Sequence, residues 1–397
     1  MTKKHGRVVI LLACAAIGCM LSGCGSKENI TQAMTKISEL NYQEALELFD
    51  TAEAEGENEK LIARGRGIAY MGMTRYEEAE EWFLKALDCS DGIVEDMDYD
   101  INLYLAGVYT KQVREMNEAA KKSNAHFAMM FNQRTNCVYR KMKEIIEQGG
   151  IGDLQRVVWV ITNWFRTQSY YDSGSWRATW AGEGGGVLIN QCPHQLDLVQ
   201  WVVGKLPSKV HGFCQYGKWH DIEVEDEVTA FFEYDNGATG MFITTTGELP
   251  GSNRFEVSGT KGKLVVDGDT NQLEWYKLTG DSQEFSKAVN GGFDQLSCEK
   301  IIVETDGENP QHKGIINNFI NALLGKEEFF VDGTEGINGV ELMNAIELSG
   351  WRNGAPVTLP VNEDEYLEEL NKRIATSRLK KVDDNVVFNT AGTYGSK

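Results

Sequence analysis

No Gly-x-Gly in this 397-residue chain is completed to Gly-x-Gly-x-x-Gly. The signature that seats a dinucleotide pyrophosphate on backbone N–H groups at a helix start is therefore missing. Gly65-Arg-Gly67 comes nearest, but Tyr70 stands where the third glycine is needed and no apolar strand precedes it; the pair reads as helix-packing glycines. Cys-x-x-Cys is also absent, and His211, Cys214 and His220 are too sparse for a metal centre, so no metal is expected. Beyond Arg7 no run of Lys and Arg offsets the net charge of -20. Such a field repels phosphate backbones, which argues against nucleic-acid binding. The apolar run over residues 8–21 has 14 residues, short of the about 20 that a membrane-spanning helix requires.

That run is informative for another reason. Lys3, Lys4 and Arg7 precede it, and Leu21-Ser22-Gly23-Cys24 ends it, the layout of an export signal. The last four residues resemble the lipobox of bacterial lipoproteins, which implies lipidation at Cys24 and a membrane-anchored, extracytoplasmic protein. An ordinary signal peptide or a buried helix are the alternatives. Cysteine usage points elsewhere: Cys89, Cys137, Cys192, Cys214 and Cys298 form an odd set without framework spacing, as in a reduced cytoplasmic protein.

From residue 30 to about 105 the pattern is helical and repetitive. Tyr42, Ala45 and Phe49 recur as Tyr76, Ala79 and Phe83, and this Tyr-x-Glu-Ala-x-x-x-Phe spacing resembles the tetratricopeptide (TPR) repeat. Small Ala45 and Ala79 let paired helices approach, and Phe49 and Phe83 fill the seam. Tyr104 extends the register from Tyr70 into a third repeat whose second helix is missing. Such stacks present a concave groove, so a peptide or protein partner is expected there.

After residue 113 the signals change. Residues 116–122 and 138–148 read as helices and 126–131 as a short buried strand. Strand-like runs follow at 154–164, 209–216, 227–234, 239–246, 254–258 and 263–266, with Asp235-Asn236-Gly237 as a hairpin turn. Helices are expected at 313–324, 336–351 and 364–374. The fold class is multidomain: all-α helical repeats, then an α+β domain with a large, mostly antiparallel sheet.

Chemistry concentrates in residues 184–198, Gly-Gly-Gly-Val-Leu-Ile-Asn-Gln-Cys-Pro-His-Gln-Leu-Asp-Leu. Glycines permit close backbone approach, Pro193 suits the first turn of a helix, and His194 then stands at a helix start. A structural hydrogen bond or a catalytic role both fit such a histidine. This segment, with FNQRTN and Ser175-Trp-Arg upstream and IEVEDEV, DNGATG and SGTKGKL downstream, resembles the C-terminal half of Gfo/Idh/MocA oxidoreductases from about residue 106 to 360.

The resemblance implies an NAD- or NADP-dependent oxidoreductase acting on a sugar, polyol or related hydroxyl compound, oligomeric through its C-terminal sheet. It assigns His194 as the acid/base for the substrate hydroxyl, a task for which an imidazole titrating near neutrality is suited. Asn190 occupies the place of an Asp in many relatives and would orient substrate or His194 without supplying charge. Asn132 and Arg134 would border the cleft; Arg166, Trp176, Arg177 and His220 are further candidates for holding substrate. The family's Glu-Lys-Pro aligns with Leu103-Tyr104-Leu105, and the Rossmann fingerprint half has no counterpart. The chain is accordingly expected to be inactive alone.

The expected organisation is a lipoprotein signal at 1–24, TPR-like repeats at 25–105, a Rossmann remnant at 106–150, the substrate and oligomerisation domain at 151–362, and a helix and tail at 363–397. Residues 103–113 form the join between the repeats and the dehydrogenase-like part. Three readings stay open: an enzyme served by a nucleotide domain from elsewhere, an anchored interaction or ligand-binding protein, and a composite or truncated chain.

Overall fold

The computed structural model describes residues 28–73, 75–89, 126–174, 176–268 and 270–377. The signal segment with Cys24, the third repeat, the join at 103–113 and the helix expected at 116–122 lie outside the described residues. Two compact units divide between Ser123 and Asn124.

The first unit holds four helices, α1 (Glu28–Ser38), α2 (Tyr42–Ala54), α3 (Glu59–Gly72) and α4 (Tyr76–Asp88). The bounds of α2 and α4 differ by the same 34 residues that separate the sequence copies. Ala45, Phe49, Ala79 and Phe83 are fully buried. Gly65 and Gly67 lie within α3, where an added Cβ would come 2.1 Å from the Phe49 ring and 2.5 Å from that of Phe83. They are packing glycines, because each aromatic ring of the seam rests on bare backbone. Arg66 between them bridges Asp50 at 2.6 Å and Glu53 at 2.7 Å and lies 4.5 Å from the Trp82 ring.

The second unit is built on a nine-stranded sheet. Its strands are β1 (Leu154–Ile161), β2 (Lys209–Tyr216), β3 (Glu225–Glu233), β4 (Thr239–Thr245), β5 (Asn253–Gly259), β6 (Gly262–Asp267), β7 (Gln272–Leu278), β8 (Cys298–Val303) and β9 (Val357–Thr358), in the order β8-β7-β6-β5-β1-β4-β3-β2-β9. Only β1 and β4 run parallel; the other neighbours are antiparallel. Alternation sets the two faces. Val157, Trp159 and Ile161 of β1 are buried, as are Val228, Ala230 and Phe232 of β3. They meet three helices, α5 (Cys137–Glu147), α8 (Pro193–Val203) and α11 (Gly336–Gly350), in one continuous core. Trp159 anchors it, stacked 4.3 Å from Phe255 and edge-on to Phe242 at 6.4 Å; such pairs add about 0.5–1.5 kcal/mol beyond area burial. Its indole N–H donates to Asn253 Oδ1 at 3.0 Å. On the opposite face the register aligns His211, Phe231, Met241 and Val158 across four strands.

Shorter helices are α6 (Gln168–Tyr171), α7 (Val187–Asn190) and α9 (Ser282–Ala288); α10 (Gln311–Leu323) and α12 (Glu363–Ile374) complete the set. Among the described residues no helix is long and apolar enough to cross a membrane.

The large, mostly antiparallel sheet agrees with expectation, and Gly237 turns the β3–β4 hairpin at φ +82°. The strand expected at 126–131 is absent. That segment is irregular, and the Phe127 carbonyl accepts from Gly333 N–H at 2.9 Å, so a turn rather than a sheet edge satisfies it. Strands β7, β8 and β9 were not anticipated. β8 is an edge strand with half-exposed and exposed side chains, which blurs the alternation that marks a strand.

Candidate functional site

The stretch 184–198 forms two consecutive helices. Gly186 precedes α7, and a Cβ on it would fall 2.0 Å from the Glu225 carbonyl oxygen, so only glycine lets the loop approach the start of β3. α8 starts with Pro193 and ends at Gly204, whose left-handed φ of +76° and N–H bond to the Gln200 carbonyl close the last turn. Residues Gln195 to Val203 are all buried. The helix is therefore fixed on the sheet, and His194 sits at its exposed end, half-buried.

Among the described residues no hydrogen bond engages the His194 ring. Burial holds this imidazole below its usual 6.5, Asp197 opposes that by favouring the charged form, and His312 on α10 adds to the lowering. The neutral base is thus favoured around pH 7, the state in which a ring nitrogen can accept a proton.

The expected site residues separate into three groups. Asn190, Arg166, Trp176 and Arg177 gather around Tyr170. The Tyr170 hydroxyl donates to Asn190 Oδ1 at 3.0 Å and accepts from Arg177 Nη1 at 2.9 Å. Arg177 lies 4.5 Å from both the Tyr170 and Trp176 rings, and Arg166 5.2 Å from Tyr170. Asn190 also donates through Nδ2 to Glu183 and accepts from Gln191 at 2.5 Å. Trp176 is 43% exposed; Arg166 makes no ion pair among the described residues, and its Nη1 donates to the Trp164 and Phe165 carbonyls at 3.2 and 3.0 Å. This corner offers an open aromatic face and a guanidinium that has no carboxylate partner among the described residues.

The second group is buried. Arg134 has no exposed surface; its guanidinium donates to Asp197 at 2.8 and 2.6 Å and to Glu335 at 2.7 Å. Asn132 is 5% exposed and donates to Gln311 at 2.5 Å. The expectation that these two border an open cleft is corrected: Arg134 braces α8 through Asp197, from beneath His194. The third group is His220 alone. Its ring nitrogens lie 3.1 Å from Asp226 Oδ2 and 3.0 Å from the Arg166 carbonyl, and its ring 4.7 Å from Tyr171. With both nitrogens occupied, His220 holds the loop of Arg166 rather than facing a ligand.

Tyr170, Glu183 and His312 were not anticipated. A Tyr170-Tyr171 doublet carries no spacing signal, and His312 reaches His194 only through the packing of α10.

The described residues do not fit a dinucleotide. Gly65 and Gly67 are sealed against Phe49 and Phe83. In the glycine loop, the N–H groups of Gly186 and Leu188 already donate to the Glu225 carboxylate at 2.8–3.0 Å, occupying the donors a phosphate would need.

Residues 139–265 match the family described as the GFO/IDH/MocA C-terminal domain. YteT of Bacillus subtilis, named as an oxidoreductase, is 29% identical over 301 residues, covering 54% of this chain and 69% of that protein. The trans-1,2-dihydrobenzene-1,2-diol dehydrogenase of Bos taurus is 27% identical over 219 residues, covering 51% of this chain and 62% of its own length. The WlbA dehydrogenase from Chromobacterium violaceum, solved with NADH and UDP-GlcNAcA, superposes with a TM-score of 0.51 at 26% identity, covering 64% of this chain and 68% of that one. The chain thus spans about two thirds of the length of these relatives. Together they support an oxidoreductase-like family for the second unit.

Proposed function

We propose that residues 126–377 are the substrate half of an oxidoreductase acting on a sugar, polyol or related hydroxyl compound. His194 accepts or returns the hydroxyl proton, and the corner around Tyr170, with Asn190, Arg166, Trp176 and Arg177, holds the ligand. One observation carries the reading: a half-buried imidazole at the start of α8 whose ring no described residue engages by a hydrogen bond, inside the segment that matches the family. Trp176 offers a stacking face and Arg166 a forked donor for a polyhydroxylated or acidic ligand. Oligomerisation through the sheet face bearing Phe213 and Met241 belongs to the same proposal, because both side chains are exposed there, at 52% and 39%.

A redox reaction needs NAD or NADP, and the described residues offer no phosphate cradle for either, nor does the sequence complete a Gly-x-Gly-x-x-Gly. In this reading the nucleotide domain comes from another chain, and the protein is inactive alone. Fluorescence titration of the purified full-length protein with NADH and NADPH checks this: no saturable enhancement at micromolar cofactor is expected. Enhancement at micromolar concentration would place a nucleotide site in this chain and overturn the claim.

The 34-residue spacing of α2 and α4 favours a second reading. Here the first unit is a TPR-type module presenting a groove to a peptide or protein partner, anchored through lipid on Cys24 outside the cytoplasm, and joined near 103–113 to a truncated dehydrogenase part.

A further inference from the structure

Glu225 and Glu347 lie behind the glycine loop, and the reaction proposed above uses neither. Both are almost wholly buried, at 1% and 2% exposure. Glu225, at the start of β3, accepts from Gly186 N–H through both oxygens at 2.8 Å and from Leu188 N–H at 3.0 Å. Three such contacts suit a carboxylate, which only accepts. Glu347, on α11, accepts from the Tyr216 hydroxyl at 3.3 Å through Oε2, while its buried Oε1 has no donor among the described residues. Tyr216, whose hydroxyl donates to Glu347, is paired with Glu225 across β2 and β3, so the two carboxyls converge on one residue of the sheet, and each acts electrostatically on the other. Two adjacent buried carboxyls cannot both ionise, and a buried oxygen without a protein donor is satisfied when a proton is held between them.

We propose that Glu347 carries a buried proton donated to Glu225, and that the pair is a positioning device: Glu225 clamps Gly186 and Leu188, and through them the turn that sets His194. The clamp reaches His194 by backbone bonds. Asn190 N–H donates to the Gly186 carbonyl at 3.0 Å, Cys192 N–H to Val187 at 3.0 Å, and Leu196 N–H to Cys192 at 3.0 Å.

Burial holds Glu347 well above the usual carboxyl range, with the neighbouring Glu225 charge adding to it, and burial raises Glu225 too, against the hydrogen bonds it receives from Glu347, Leu188 and Gly186. Cys214 and Tyr216 of β2, Cys192, and Tyr366 and Arg373 of α12 face the pair. The one cation among them, Arg373, is occupied by Glu369 at 3.1 Å and by the Trp351 ring at 4.0 Å. Because both carboxyls are raised on folding, the stabilisation due to the shared proton is complete below the ordinary carboxyl range. It is lost as pH rises through the folded values.

The role in positioning rests on the assignment of His194; the shared proton does not. The test combines infrared spectroscopy with amide exchange on the full-length protein at pH 7.5. Wild type is expected to show a protonated carboxyl band that Glu347→Gln removes, and protection of at least about 100-fold at the Gly186 and Leu188 amides. Glu347→Gln retains a donor to Glu225, so protection at both amides should persist. Glu225→Gln should lower it by at least about tenfold and move the His194 ring resonance. His194→Ala should leave band and protection unchanged, so loss of the acid/base assignment would not remove the pair. Absence of the band difference between wild type and Glu347→Gln overturns the shared proton without need of a folded Glu225 variant. Full protection in Glu225→Gln, or an unmoved His194 resonance, overturns the positioning role.

Discussion

Replacing His194 with Ala is expected to lower turnover of a sugar or polyol hydroxyl by about 10²–10⁴-fold, the range contributed by a positioned acid or base. Ligand affinity should change by less than about threefold, because the imidazole acts on the transferring proton and adds little uniform binding. Steady-state kinetics with a nucleotide domain supplied by a second chain checks this, with the ligand dissociation constant measured separately. The pH dependence gives an independent sign. Burial lowers the His194 pKa below 6.5, so for substrate oxidation the rate should rise with pH through a midpoint below that value and then level off. Equal loss of binding and turnover would make His194 a binding residue and remove the assignment.

Arg134→Met is expected to destabilise the second unit by about 3–5 kcal/mol, the cost of leaving a buried charge without its partner. Asp197 is 1% exposed and would keep only Gln200, at 3.1 Å, while Glu335 is one-third exposed and regains water. The double variant Arg134→Met with Asp197→Leu should recover at least half of that loss, since apolar replacement of a buried pair is often neutral. Urea unfolding followed by tryptophan fluorescence reports on this unit, because all nine tryptophans except Trp82 lie in it. A single-variant loss below about 1 kcal/mol, as for an exposed pair, would mean that Arg134 is reached by solvent.

Local sequence carried much of this structure. The end of α8 at Gly204 came only with the structure, but Pro193 marks its start by backbone chemistry confined to that residue, so the beginning of the helix that presents His194 was readable. The same is true of Asp235-Asn236-Gly237, and of the 34-residue recurrence that places Ala45 with Ala79 and Phe49 with Phe83. What could not be read was decided by residues far apart in the chain. Arg134 looks like a cleft residue until Asp197 and Glu335 arrive from two other helical segments to bury it. His220 looks available until Asp226 and the Arg166 carbonyl take both nitrogens. Glu225 lies within a quoted motif, but its partner Glu347 is on α11, and nothing in either neighbourhood marks a shared proton. β8 escaped notice because a sheet edge does not impose two-residue burial on side chains that water reaches from both faces.

In the proposed function His194 faces the ligand. Titration of full-length protein labelled at histidine carbons with a panel of sugars, sugar acids and polyols, following the His194 ring resonance by NMR, tests it most directly. At least one member of the panel is expected to bind saturably and shift the His194 resonance, while His220, enclosed by Asp226 and the Arg166 carbonyl, moves little. Saturable binding that leaves His194 unmoved, or no binding by any member of the panel, would contradict the account.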